Sequence, residues 1–128
     1  MAELLITTET GVFHTACRFT WGAKVEWRGF KPKTHLAPID QGYVDHSNRG
    51  GMINHSASFT ISDAILYSTL NLISDKYDDS RYVLFIRDCV SFSADVGRSA
   101  GLAVPTRNLS PIGFLLWIET FNKTNYTN

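Results

Sequence analysis

Cysteine is scarce in this chain, and its two cysteines, Cys17 and Cys89, lie far apart. Neither has a second cysteine a few residues away, which excludes a disulfide framework and the paired motifs of zinc and thioredoxin-like sites. The four histidines, at positions 14, 35, 46 and 55, match no spacing typical of metal ligands. We therefore predict no metal and no cofactor.

An excess of charge of one sign is also absent. Twelve Lys and Arg balance twelve Asp and Glu, so no net charge attracts nucleic acid or an anionic membrane. No apolar run approaches the roughly 18 residues of a membrane-spanning helix, and the first residues lack the pattern of a secretory signal. We predict no transmembrane segment, no signal peptide and no nucleic-acid partner.

The chain does have enough apolar residues to bury a core. Its 128 residues are 44% hydrophobic, and this length and composition predict one folded domain over 1–128 with its core at about 4–121. Segments rich in β-branched and aromatic residues predict strands at 4–8, 12–20, 24–28 and 52–59. A hairpin is expected at Trp21-Gly22-Ala23, and 31–51 is expected to be a long loop.

Helical patterns occupy the second half of the chain. Thr60 and Asp63 have the spacing of a capping box and predict a helix up to about Lys76. The apolar run 82–86 has the character of a central, buried strand. Asp88 is the expected N-cap of a helix over 89–100, whereas 112–121 fits either a strand or a helix and 122–128 a frayed tail. The predicted class is α+β, with an antiparallel sheet packed against helices.

Cys89 is the residue with the clearest chemical potential. As the first residue of a helix, it is expected to be stabilised as a thiolate by the unpaired N–H groups at the helix start. The same N–H groups, next to Asp88, are suited to bind the oxyanion formed when a thiolate attacks a carbonyl. His14 is the candidate base, because a strand would hold it rigidly. A buried, purely structural cysteine is the alternative.

A resemblance to a known family supports the catalytic interpretation. The chain has, in order, a Gly-Val-Phe-His strand, a Trp-Arg-Gly-Phe-Lys-Pro strand end, a Gly-Tyr-Val-Asp-His loop, and an Arg-Asp-Cys-Val-Ser-Phe helix start that leads to Ala-Gly-Leu. This order resembles the circularly permuted papain-like fold of NlpC type, over roughly residues 11–105. It is most similar to toxin domains of type VI secretion effectors and polymorphic toxins.

The resemblance implies roles for individual residues. Cys89 matches the family nucleophile and His14 its general base. The group that orients the imidazole comes from the next strand in this family, which points to Glu26, with Arg28 or a group in the 31–51 loop as alternatives. Arg18, Lys24 and Trp27 are the expected substrate-binding residues, and the two cations among them suggest an anionic substrate.

The implied activity is acyl transfer through a thioester, by a cysteine hydrolase that cleaves peptide amide bonds of peptidoglycan. Such an antibacterial effector would leave its cell by a specialised secretion system, act in the periplasm of a target cell and have a cognate immunity protein. A phospholipase or acyltransferase with the same Cys-His pair is the first alternative. An exposed cluster of three or more of five aromatic residues would favour it: Trp21, Trp27, Phe30, Phe114 and Trp117. A non-enzymatic binding module is the second alternative.

Overall fold

An antiparallel sheet with helices packed against it organises the chain, which confirms the predicted α+β class. The structure is a computed structural model that describes residues 1–9, 14–34, 37–78, 80–84, 87–105, 110–122 and 126–127. Its strands are β1 (Ala2–Glu9), β2 (Thr15–Trp21), β3 (Lys24–Pro32), β4 (Ile39–Asp45), β5 (Ile53–Ile61), β6 (Arg81–Val83) and the two-residue β7 (Tyr126–Thr127). Its helices are α1 (Asp63–Tyr77), α2 (Cys89–Ser99) and α3 (Pro111–Phe121), with a single 3-10 turn at Gly50–Met52.

The strands are ordered β6-β4-β3-β2-β1-β5-β7, and every neighbouring pair is antiparallel. β1 and β2 are central, and β1 is buried along nearly its whole length. Leu4 and Ile6 point to one face of the sheet and Leu5 and Thr7 to the other, yet all four are at most 1% exposed. Both faces of the central strands are therefore covered.

The helices pack on one face of the sheet, here called the helix face. Phe30 of β3 is fully buried there against Tyr77 of α1, with ring centroids 4.9 Å apart, and stacks on Phe92 of α2 at 6.4 Å. On the same face α3 reaches β5, where Glu119 pairs with His55 at 2.6 Å. The opposite face, here called the far face, receives the alternate residues of each strand.

The hairpin between β2 and β3 has the predicted position. Trp21 pairs with Lys24, and the two-residue connection contains Gly22 with φ of +55°. A turn of this kind needs positive φ, which glycine adopts without steric cost. The hairpin fixes the register of both strands, so that Phe19 lies opposite Glu26 and Cys17 opposite Arg28.

Of the two helix caps that were predicted, the cap of α2 is confirmed and the cap of α1 is not. Asp88 caps α2, and its carboxylate accepts a hydrogen bond from the Ser91 N–H at 2.9 Å, as predicted. At α1 the prediction was wrong, because Ser62 and not Thr60 is the N-cap. Thr60 is the penultimate residue of β5, whose ladder uses its backbone. The apolar segment near the end of the chain is the helix α3, one of its two predicted alternatives.

Two strand predictions were wrong. The long loop expected over 31–51 contains β4, whose mostly polar residues lack the apolar alternation that reveals a strand. The run 82–86 was expected to be a central strand, but β6 lies at the edge of the sheet and ends at Val83. Residues 85 and 86, like 12 and 13 of the second predicted strand, lie outside the described residues. The predicted frayed tail includes β7, which pairs with β5.

Close packing of β4 on β3 yields a stability prediction. A Cβ atom on Gly42 would overlap the buried ring of Phe30 and stand 2.9 Å from the Ser80 carbonyl oxygen. Overpacking of this kind lowers the free energy of unfolding by about 1–3 kcal/mol. We expect this loss for Gly42→Ala in urea unfolding. Gly51→Ala is the matched control, because its Cβ would meet no atom within 4 Å; equal unfolding midpoints for the two variants would contradict the prediction.

Candidate functional site

Cys89 is the first residue of α2, where it meets the start of β2. The sulfur is hydrogen-bonded by the backbone of Thr15, as well as by the N–H groups of Val90 and of Cys89 itself. Burial nevertheless raises the pKa of the thiol to about 12, because the side chain is fully buried and the nearby Asp88 carboxylate also opposes ionisation. The expected stabilisation of the thiolate by the helix start is thus outweighed by loss of hydration.

His14 immediately precedes β2, but its imidazole lies on the far face. Nε2 is 3.0 Å from the position that a Cβ on Gly29 would occupy. Gly29 alternates along β3 with Phe30, which belongs to the helix face. Thr15, by contrast, contacts α2 through its hydroxyl, 3.3 Å from that of Ser93. The structure therefore does not bring the predicted base onto the face of the predicted nucleophile.

His14 is surrounded by charged side chains, of which Glu9 is buried and the others are partly exposed. The carboxylate of Glu9 is completely buried and accepts two hydrogen bonds from Arg49, at 2.9 Å from Nε and 2.5 Å from a terminal nitrogen. Lys31 pairs with Asp45 at 3.0 Å close by. His14 Nε2 is 3.6 Å from the nearer Glu9 oxygen and has no hydrogen-bond partner in the described part of the chain.

Burial lowers the pKa of His14 to about 4, which keeps the imidazole neutral at pH 7. The Glu9 carboxylate opposes this shift, whereas the cations Lys31 and Arg49 reinforce it. A neutral imidazole is able to accept a proton from a thiol, so its charge state suits a general base. Its position relative to Cys89 does not.

The structure does not bring Glu26, the residue predicted to orient the imidazole, to His14. The hairpin register places Glu26 opposite Phe19, five positions along β2, which corresponds to roughly 16 Å. Its carboxylate instead accepts a hydrogen bond from Arg28 at 2.7 Å, and both residues lie on the face of β3 that carries Phe30, opposite to the face that His14 contacts. Of the alternatives, the 31–51 segment does contribute charged neighbours of His14, namely Lys31, Asp45 and Arg49.

Glu9 is the functional candidate that the sequence analysis missed. Glu9 ends β1 and lies beside His14, the residue that precedes β2. The Glu9 N–H donates a hydrogen bond to the His14 carbonyl oxygen at 3.2 Å. The signal available in the sequence was an acidic residue at the far end of a strand that pairs with the histidine strand. A hairpin brings two such positions together.

The predicted substrate-binding residues are only partly brought together. The guanidinium of Arg18 lies 5.8 Å from the ring of Trp27, on the strand beside it. Lys24 lies at the hairpin end, where its ammonium is 5.7 Å from the ring of Trp21. Trp27 also lines a groove of about 390 Å³, together with four further residues: Val25, Glu26, His46 and Asn48.

Searches for other kinds of site add little to this geometry. The described residues contain no group of three or more His, Cys, Asp and Glu side chains placed to hold a metal ion. None of the helices in this part of the chain combines the length and apolar character that crossing a membrane requires. Comparisons with protein-family models, curated proteins and solved structures found no match.

The position of His14 predicts a pH dependence of stability. Its pKa of about 4 in the folded protein lies below the ordinary value of about 6.5, so the unfolded chain binds the proton more tightly. The stability that the neutral imidazole contributes is complete above about pH 6.5 and is lost as the pH falls towards 4. Between pH 7 and 4 the wild type should lose about 3 kcal/mol more unfolding free energy than His14→Gln.

Urea unfolding at a series of pH values measures this difference, and the carboxylates common to both proteins cancel in it. A His14 imidazole proton resonance, assigned by its absence from His14→Gln, that titrates near pH 6.5 would contradict the assignment of a buried, neutral histidine. Parallel pH profiles for wild type and His14→Gln would contradict it as well.

Proposed function

We propose that the protein is a cysteine hydrolase of the circularly permuted papain-like kind, with Cys89 as nucleophile and His14 as general base. The main support is that Thr15, whose backbone hydrogen-bonds the Cys89 sulfur, is the residue next to His14. The start of the nucleophile helix and the start of the histidine strand therefore meet. The order of histidine strand, hairpin and cysteine helix along the chain is that of the family it resembles.

The proposal requires His14 to move from the far face to the helix face. His14 precedes the first residue of β2, and the move would break the hydrogen bond of 3.2 Å from the Glu9 N–H to the His14 carbonyl oxygen. Its buried Nε2 lacks a hydrogen bond among the described residues, and such a nitrogen costs about 1–3 kcal/mol. Buried polar atoms without partners occur preferentially where function requires them. A hydrogen bond to the Cys89 thiol would remove this cost.

The chemistry then proceeds through an acyl-enzyme. His14 takes the thiol proton, and the Cys89 sulfur attacks the amide carbonyl carbon to form a tetrahedral oxyanion. N–H groups at the start of α2 stabilise that oxyanion. The imidazolium gives its proton to the leaving amine as the C–N bond breaks, which leaves a thioester. Water, deprotonated by His14, releases the acid and restores the thiol.

For the substrate, we propose a peptide of the bacterial cell wall, as expected for an effector that acts in the periplasm of a rival. The aromatic residues do not support the lipid alternative. Phe30 and Phe114 are fully buried and Trp27 is 6% exposed, so no cluster of three of the five aromatic residues reaches the surface.

A non-enzymatic binding module is the second candidate. The fully buried Cys89 thiol, with its pKa raised to about 12, and the separation of His14 from it both favour a structural cysteine. In that case Cys89 would be inert to thiol reagents at neutral pH.

The two candidates predict different products. Wild type, Cys89→Ala, His14→Ala and the control Cys17→Ala would be incubated with isolated peptidoglycan and, separately, with phospholipid vesicles, and products would be identified by mass spectrometry. Cys17 is the matched control because it is a second free, fully buried cysteine, bonded to Ser93 of the same helix. We expect wild type and Cys17→Ala to release wall peptides, and the other two to lose at least about 100-fold in rate.

Thermal unfolding of each variant establishes that it is folded. Release of fatty acid or lysolipid would transfer the assignment to the lipid alternative. Full activity of Cys89→Ala or His14→Ala, or no product from wild type on either substrate, would contradict the hydrolase proposal and leave the binding module.

A further inference from the structure

β3 has one edge that is only half used. Along the other edge β2 pairs with β3 from Lys24 to Arg28. On the half-used edge β4 pairs with β3 only from Gly29 to Pro32. No strand in the described part of the chain pairs with residues 24–28 on that side.

The register identifies which backbone groups face this gap. In a two-residue hairpin the residues that flank the turn form a hydrogen-bonded pair, here Trp21 and Lys24. Hydrogen-bonded and non-hydrogen-bonded pairs then alternate, so Val25 and Trp27 do not bond β2. Their N–H and C=O groups point away from β2, as those of Gly29 do where β4 is present. Two donors and two acceptors therefore face the gap.

The segment that follows β4 does not pair with β3 but lines the groove beside it. Asp45 ends β4, and its carboxylate accepts hydrogen bonds from the Ser47 N–H at 3.2 Å and hydroxyl at 2.8 Å. This local turn directs the chain away from β3, and His46 and Asn48 become the opposite side of the groove of about 390 Å³. The volume lies within the usual range for ligand sites, roughly 300–1,000 Å³.

We propose that the edge of β3 at Val25–Trp27 binds an extended peptide segment of a partner protein by strand addition. The peptide takes the position beside β3 that β4 would occupy if it continued past Asp45. Main-chain hydrogen bonds to Val25 and Trp27 supply the affinity. An aromatic side chain of the peptide opposite Val25, which is 57% exposed, supplies selectivity, because pairs of an aromatic and a β-branched residue across strands are favourable. This binding does not depend on Cys89 being a nucleophile.

A second copy of the chain fits this edge less well than a different peptide. The antiparallel register that pairs Val25 with Trp27 in both copies also places Glu26 opposite Glu26 and Lys24 opposite Arg28. Like charges directly opposite each other destabilise a strand pair. The registers that pair Val25 with Val25 or Trp27 with Trp27 avoid this repulsion, but each engages only one of the two outward-facing residues, because Ala23 lies in the turn and Gly29 already pairs with β4. A partner with its own sequence avoids the repulsion and engages both residues.

The test uses a proline at the edge. Val25→Pro deletes an outward N–H without removing a hydrogen bond to β2, and proline is tolerated at such edge positions. Val25→Thr is the matched control, because it changes the same side chain and keeps the N–H. A phage-displayed library of random seven-residue peptides is selected on the full-length wild-type chain. The enriched peptides are synthesised, and their affinities for all three proteins are measured. Thermal unfolding shows that each protein is folded.

We expect enriched peptides to bind wild type and Val25→Thr equally and Val25→Pro about tenfold more weakly, as loss of one backbone hydrogen bond implies. Hydrogen exchange should slow at the Val25 and Trp27 amides of wild type when the peptide is bound. Failure to enrich any peptide, equal binding to Val25→Pro, or protection confined to other amides would overturn the proposal. So would a concentration-dependent dimer that protects these two amides without peptide.

Discussion

The alternation of side chains along β2 is the constraint on which the rest of the site depends. Thr15 and Cys17 both contact Ser93, so their face of the strand is fixed against α2. Whatever stands one residue earlier then points to the far face for as long as the strand geometry continues. His14 is that residue, and its imidazole joins Glu9 instead of the Cys89 thiol. A shift of one residue at the start of β2 would turn the imidazole to the helix face. His14 stands at the position where such a shift would occur, because it directly precedes the first residue of β2.

Cys89 illustrates a competition between a local and a global effect. The helix start, with the backbone of Cys89 and Val90, favours the thiolate and is predictable from sequence once the helix is recognised, whereas the contribution of the Thr15 backbone depends on the tertiary fold. Complete burial opposes it and prevails, because removal of the sulfur from water penalises the charged form along its whole surface. Activation of this thiol therefore has to include access of water or substrate to the start of α2. A substrate carbonyl that reaches the sulfur would itself open that access.

What could be predicted from sequence follows from how local each signal is. The cap of α2 and the turn at Gly22 depend on a few consecutive residues, and both were predicted correctly. β4 was missed because its residues lack an apolar alternation, and its pairing with β3 and β6 is decided by residues distant in sequence. Glu26 was expected beside His14 because their strands are neighbours. Residues of neighbouring strands are close only where the register pairs them. The register of a two-residue turn places Glu26 opposite Phe19, and only position-by-position pairing reveals the distance from His14.

The short span of β4 gives the sheet an edge that is protected against itself and still accessible. Long, flat, apolar edges aggregate, and proteins usually interrupt them with charge. Here Lys24, Glu26 and Arg28 alternate with Val25 and Trp27, so that charged side chains flank each backbone group that faces the gap. Val25 remains 57% exposed, which a purely protective arrangement does not require. Main-chain groups that no described strand pairs, combined with repulsion between copies in the register that engages both Val25 and Trp27, favour a foreign strand over a second copy of the chain.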